Sequence, residues 1–109
     1  MKILIVEPGA NPRKACIQDT LEAMQQTVGG PIEVLPLPDG VMLVCDEEGK
    51  LRGRAPNRYI GGELIVGTFF LCCADDEDLT DLPEHLAEKY EKKLGVREWG
   101  SRCTSGRKC

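Results

Sequence analysis

Rings are scarce in this 109-residue chain, which holds one histidine, one tryptophan and 5% aromatic residues. A nucleophilic relay needs a nucleophile, a base and an orienting group. Any Cys–His pair must therefore use His85, which sits among carboxylates and reads as a solvated helix residue. Few rings also argue against readers of single-stranded nucleic acid, which stack bases on several exposed aromatics. Positive charge is in deficit: the net charge is −4 and the pI about 5.0. Such a molecule repels phosphate backbones, so direct nucleic-acid binding is not expected. There is no C-x-x-C pair and no second histidine, which removes the usual structural zinc sets. Gly29-Gly30 and Gly61-Gly62 stand alone, without a phosphate-cradling glycine motif around them. Neither a metal, a cofactor nor catalysis is expected. The apolar opening stops at Glu7-Pro8, too short for a signal-peptide core or a membrane span. The expected location is the cytoplasm.

Six cysteines are present: Cys16, Cys45, Cys72, Cys73, Cys103 and Cys109. In a reducing compartment they read as free thiols rather than a disulfide framework. Cys45 and Cys72 lie in apolar runs and read as small core residues. Cys72 and Cys73 are neighbours on an expected strand, so their side chains point to opposite faces and do not share a metal.

The length fits one domain, expected over residues 1–95, with 96–109 a basic, cysteine-containing flexible tail. Lys2–Val6 reads as a buried strand, with Arg13–Ile17 a more polar strand paired to it. A helix follows, with Asp19 as the expected cap, Glu22 completing a capping box and Gly29-Gly30 ending it. Leu21, Met24 and Val28 give that helix one apolar stripe. Ile32–Leu37 carries two prolines' interruption at its end and reads as an edge strand. Val41–Cys45 reads as a buried strand, and Leu51–Arg54 as a short polar strand returning from a turn. Ala55–Gly62 reads as a loop. Leu64–Cys73 is the longest apolar stretch and reads as one core strand bulged at Gly67. Pro83–Leu94 reads as a helix with Leu86, Tyr90 and Leu94 on one face. The expected fold class is therefore α+β: a mixed, mainly antiparallel sheet of about five strands, one helix after the second strand and one C-terminal helix.

Charge is distributed unevenly. Asp75, Asp76, Glu77, Asp78, Asp81 and Glu84 fall within ten residues, and Glu88 and Glu91 follow. The spacing lacks the pattern of a calcium loop. A solvated surface accounts for such a run, but so does a row of carboxylates that mimics phosphates and occupies a basic channel on a partner. Lys50, Arg52, Arg54 and Arg58 form a basic group free of acids. Arg52, Arg54 and Arg58 are the alternative ligand-binding set, suited to the phosphates of a small nucleotide.

Four passages together resemble a known family: M-K-I-L-I-V-E-P-G, T-L-E-A-M-Q-Q-T-V-G-G-P-I-E-V, V-C-D-E-E-G-K-L with A-P-N-R, and I-V-G-T-F-F-L-C. They resemble an uncharacterised domain family of small proteins carried by phages, plasmids and conjugative elements of Firmicutes, over residues 1 to about 94. The resemblance carries no catalytic residue. It implies an anti-defence role, with anti-CRISPR inhibitors of Cas9 as proteins of similar size and charge. The expected partner is thus a host nuclease of the Cas9 type, bound through the six acidic residues. The alternatives are a module that sequesters a nucleotide immune signal, or a structural or assembly subunit.

Overall fold

The computed structural model describes residues 1–96. Apolar runs in its first half form β1 (Lys2–Val6), β2 (Arg13–Cys16), β3 (Ile32–Pro36) and β4 (Val41–Asp46), with α1 (Leu21–Val28) between β2 and β3. The second half gives β5 (Pro56–Ile60), β6 (Glu63–Val66), β7 (Phe69–Asp75), β8 (Asp78–Thr80) and α2 (Glu84–Lys93). The main sheet runs β2-β1-β7-β4-β3, and β5 and β6 form a separate hairpin. Every pairing among the described residues is antiparallel. The α+β class with its two helices is as the sequence reads, the sheet being fully antiparallel rather than mixed.

β7 is the axis of the sheet. It is flanked on one side by β4, with Leu43 opposite Leu71, and on the other by β1, with Leu4 opposite Leu71. The far half of β7 outruns β1, and β8 fills that space by folding back, Cys73 opposite Thr80 and Asp75 opposite Asp78. Because strand side chains alternate, the sheet feeds two cores. On one face Ile3, Ile5, Val44, Phe70 and Cys72 pack under Met24 and Val28 of α1. On the other, Leu4, Val6, Leu43, Phe69 and Leu71 meet Leu86, Ala87 and Tyr90 of α2, with Ile65 of the β5–β6 hairpin. The vicinal thiols divide accordingly: Cys72 is in the first core and Cys73 packs against the second.

Several boundaries differ from the sequence reading. The cap of α1 is Thr20, whose Oγ1 accepts from the Ala23 amide at 3.1 Å, so Asp19 and Glu22 form no capping box. Leu51–Arg54 is a turn rather than a strand, and Leu51 is 89% exposed. The expected loop at 55–62 instead holds β5, and Gly61-Gly62 is its hairpin turn, with φ of +60° and +83°. The long apolar stretch is two strands, not one bulged strand. Gly67 breaks it with φ +74°, and an added Cβ there would stand 2.6 Å from Arg54 Cδ. β8, inside the acidic run, was not foreseen. The basic tail, with Cys103 and Cys109, lies outside the described residues apart from Val96.

Candidate functional site

The basic group is knitted into the fold. Asp46 ends β4 with its side chain fully buried, a position that demands charge compensation. Its Oδ2 accepts from Arg54 Nε at 2.8 Å and lies 3.3 Å from Arg52 Nε, while Oδ1 accepts from the Glu48 amide at 2.9 Å. Burial alone pushes this carboxyl up, but the Arg54 hydrogen bond, the Glu48 amide and the Arg52 charge together hold it below the usual carboxylate range. Arg54 Nη2 also donates to the Gly29 carbonyl, one of the orphan acceptors at the end of α1. The backbone is shaped to this clamp: a Cβ on Gly30 would come within 2.5 Å of Asp46 Oδ1.

Arg58 serves a second junction. Its guanidinium donates to the carbonyls of Leu94 (3.0 Å) and Ala10 (2.6 Å) and to Asn57 Oδ1 (2.7 Å). Asn57 in turn donates through Nδ2 to the Val6 and Gly67 carbonyls, at 2.9 and 2.7 Å. The end of β1, the β6–β7 break and the end of α2 are thereby tied to β5. Arg52 and Arg54 thus share Asp46, whereas Arg58 is turned to a different junction, and the three do not converge on one open cradle.

The acidic residues divide into two sets. Asp81 Oδ1 accepts from the Lys2 amide at 2.8 Å and fixes the start of β1 against the segment after β8. Glu84 pairs with Lys14 of β2, and the Lys14 hydrogen bond lowers its pKa. Asp75, Asp76, Glu77 and Asp78 remain together and exposed at the tip of the β7–β8 hairpin. Asp76 takes φ +55° in the two-residue turn, a conformation that Asp tolerates better than most residues. Asp75 and Asp78 are direct cross-strand partners, so two like charges face each other at the base of the turn. Among the described residues none of the four has an ion-pair partner.

His85 is exposed on the first turn of α2. Burial pushes the Cys45 thiol up to about 11 and the Cys72 thiol up to about 12, which keeps both protonated at neutral pH. The described residues contain no group of three or more His, Cys, Asp or Glu arranged to hold a metal. None of their helices is long and apolar enough to cross a membrane.

The sequence reading missed the partners of the arginines. The signal was available in Asp46 at the end of an apolar run, since a carboxylate there needs nearby cations. No curated protein and no solved structure matches the chain. Residues 1–95 match the profile of a family described as a domain of unknown function, DUF3846, and the chain belongs to that family.

Proposed function

We propose that this domain acts by binding a macromolecule through the β7–β8 tip, without catalysis of its own. The observation that carries this reading is the set of four exposed carboxylates at one hairpin turn, two of them directly opposed, with no compensating cation among the described residues. Opposed like charges cost the free protein stability, and a cationic partner surface relieves that cost. In its specific form the partner is a host nuclease of the Cas9 type, and the tip occupies a basic channel that otherwise holds phosphates. The domain is then an anti-defence inhibitor.

The test is a nuclease cleavage assay with two variants. Replacing Asp75, Asp76, Glu77 and Asp78 by Asn or Gln is expected to abolish inhibition and its salt sensitivity. Replacing Asp81 and Glu84 is expected to leave inhibition in place, because those two carboxylates serve internal contacts. Full inhibition by the fourfold variant would sink the tip as the contact. The alternative, a nucleotide bound by Arg52, Arg54 and Arg58, would require these guanidiniums to leave Asp46, Gly29 and Leu94.

A further inference from the structure

A second surface lies at the other end of β4 from the acidic tip. Among the described residues β3 is the outermost strand of the sheet and pairs only with β4. The Leu37 amide donates to the Val41 carbonyl and the Glu47 amide to the Pro31 carbonyl, which fixes the alternation of the ladder. Antiparallel strands exchange hydrogen bonds at every second pair. Glu33 and Leu35 therefore turn their backbone groups toward β4, while Ile32 and Val34 turn theirs outward. The amides of Ile32 and Val34 thus face away from β4, the one strand that β3 pairs with among the described residues. Pro31 and Pro36 bound this open edge to a single short window.

The side chains along the window differ by face. Ile32 and Val34 point to the α1 side, and Val34 is 39% exposed. Glu33 and Leu35 point to the opposite side, where they line a cleft of about 130 Å³ with Cys45, Lys50, Leu51 and Leu64. Asp46, Glu47 and Glu63 also line it; with the Asp46 carboxylate held by Arg54, Glu33, Glu47 and Glu63 are left facing one lysine, and Lys50 already lies 3.9 Å from Glu63. Leu64 is the cross-strand partner of Tyr59, which is 75% exposed, so apolar surface continues outward from the cleft. Exposed tyrosine and leucine beside a ring of carboxylates match the anchor-and-rim anatomy of protein-binding surfaces.

We propose that β3 accepts an added strand from a partner polypeptide, a segment that alternates apolar and basic residues. Its backbone completes the ladder at Ile32 and Val34. Its apolar residues, opposite Ile32 and Val34, extend the apolar strip on the α1 side. Its basic residue, opposite Glu33, lays an aliphatic stem over Leu35 and Leu64 and carries its charge to Glu33, Glu47 and Glu63. The register and the charge of the cleft together select this occupant: a residue facing Glu33 directly across the strands is favoured as a cation and penalised as an anion.

The probe is the acetylated, amidated pentapeptide Lys-Val-Arg-Val-Lys, titrated into the full chain and followed by amide resonances and hydrogen exchange. The Ile32 and Val34 amides are expected to shift and to exchange more slowly. Replacing the central arginine of the peptide by glutamate is expected to weaken binding at least about tenfold. Val34→Pro removes one outward donor and no internal hydrogen bond, and is expected to weaken binding at least about tenfold while leaving the thermal midpoint close to wild type. Glu33→Arg keeps the edge and reverses the charge directly across from the central residue; it is expected to lose the preference for the arginine peptide. No shift at Ile32 and Val34 up to about 5 mM peptide overturns the proposal. Equal binding of both peptides overturns it too. Slow exchange at Ile32 and Val34 that depends on protein concentration alone, and is lost in Val34→Pro, would assign the edge to a second copy of this chain instead.

Discussion

At the residue scale the chain spends its charges in two ways. Asp46, Arg54, Asn57 and Arg58 are polar side chains used as internal fasteners, each closing backbone groups that strands and helices leave open. Removing the buried charge takes the shared carboxylate from two guanidiniums, leaving Arg54 the Gly29 carbonyl and Arg52 the Glu48 carboxylate, so Asp46→Asn is expected to cost roughly 1.5–3 kcal/mol in denaturant unfolding. The pH dependence follows from the direction of its shift. Asp46 has a depressed folded pKa, so its contribution is complete above the unfolded value of about 4 and disappears as pH falls through the folded value. Wild type should therefore lose more stability than Asp46→Asn between pH 7 and pH 2, as urea midpoints at the two pH values would report. The tip carboxylates behave oppositely. Neutralising Asp75 or Asp78 singly removes a like-charge pair and is expected to raise the thermal midpoint slightly, while weakening partner binding. A residue that stabilises when removed yet lowers activity is the signature of a contact surface. Cysteine chemistry completes this scale: peptide mapping after brief alkylation at neutral pH should find Cys16, which is exposed, modified well before Cys45 and Cys72.

At the element scale, what could be read in the sequence depended on whether side chains face apolar surroundings. β1, β4, α1 and α2 bury apolar stripes, and their spacing shows it. β3 was legible as an edge because Pro36 interrupts it. β5 was not, since it opens on Pro56 and spends Asn57 and Arg58 on carbonyls of distant segments, which looks polar and loop-like in sequence. The break at Gly67 was hidden for the converse reason: Ile65 on one side and Phe69 on the other are both buried, so the apolar run is continuous while the chain direction is not. The acidic tip was legible as a charge run, but its division was not. Asp81 and Glu84 differ from Asp75–Asp78 only through their contacts with Lys2 and Lys14, which come from the other end of the chain. Gly67→Ala tests the break. With positive φ and Arg54 Cδ 2.6 Å from the new Cβ, it is expected to cost roughly 1–3 kcal/mol by thermal or urea unfolding.

At the scale of the whole molecule, the two proposed surfaces sit at opposite ends of β4, the acidic tip near Val41 and the open β3 window near Asp46. They can be lost independently, and the fourfold tip variant should still bind the basic pentapeptide. The position of β7 has a consequence for how the chain comes together. The β1–β2 hairpin and the β3–β4 hairpin are each local, but within the sheet they meet only across β7, whose Leu71 touches both Leu4 and Leu43. A growing polypeptide therefore leaves the apolar residues of both hairpins uncovered until Phe69–Asp75 has been made. Such a late, long-range closure delays folding and leaves the nascent chain dependent on protection from association. A chain ended at residue 68 is expected to show no cooperative unfolding transition, whereas in the 109-residue chain the β7 amides should be the last to exchange.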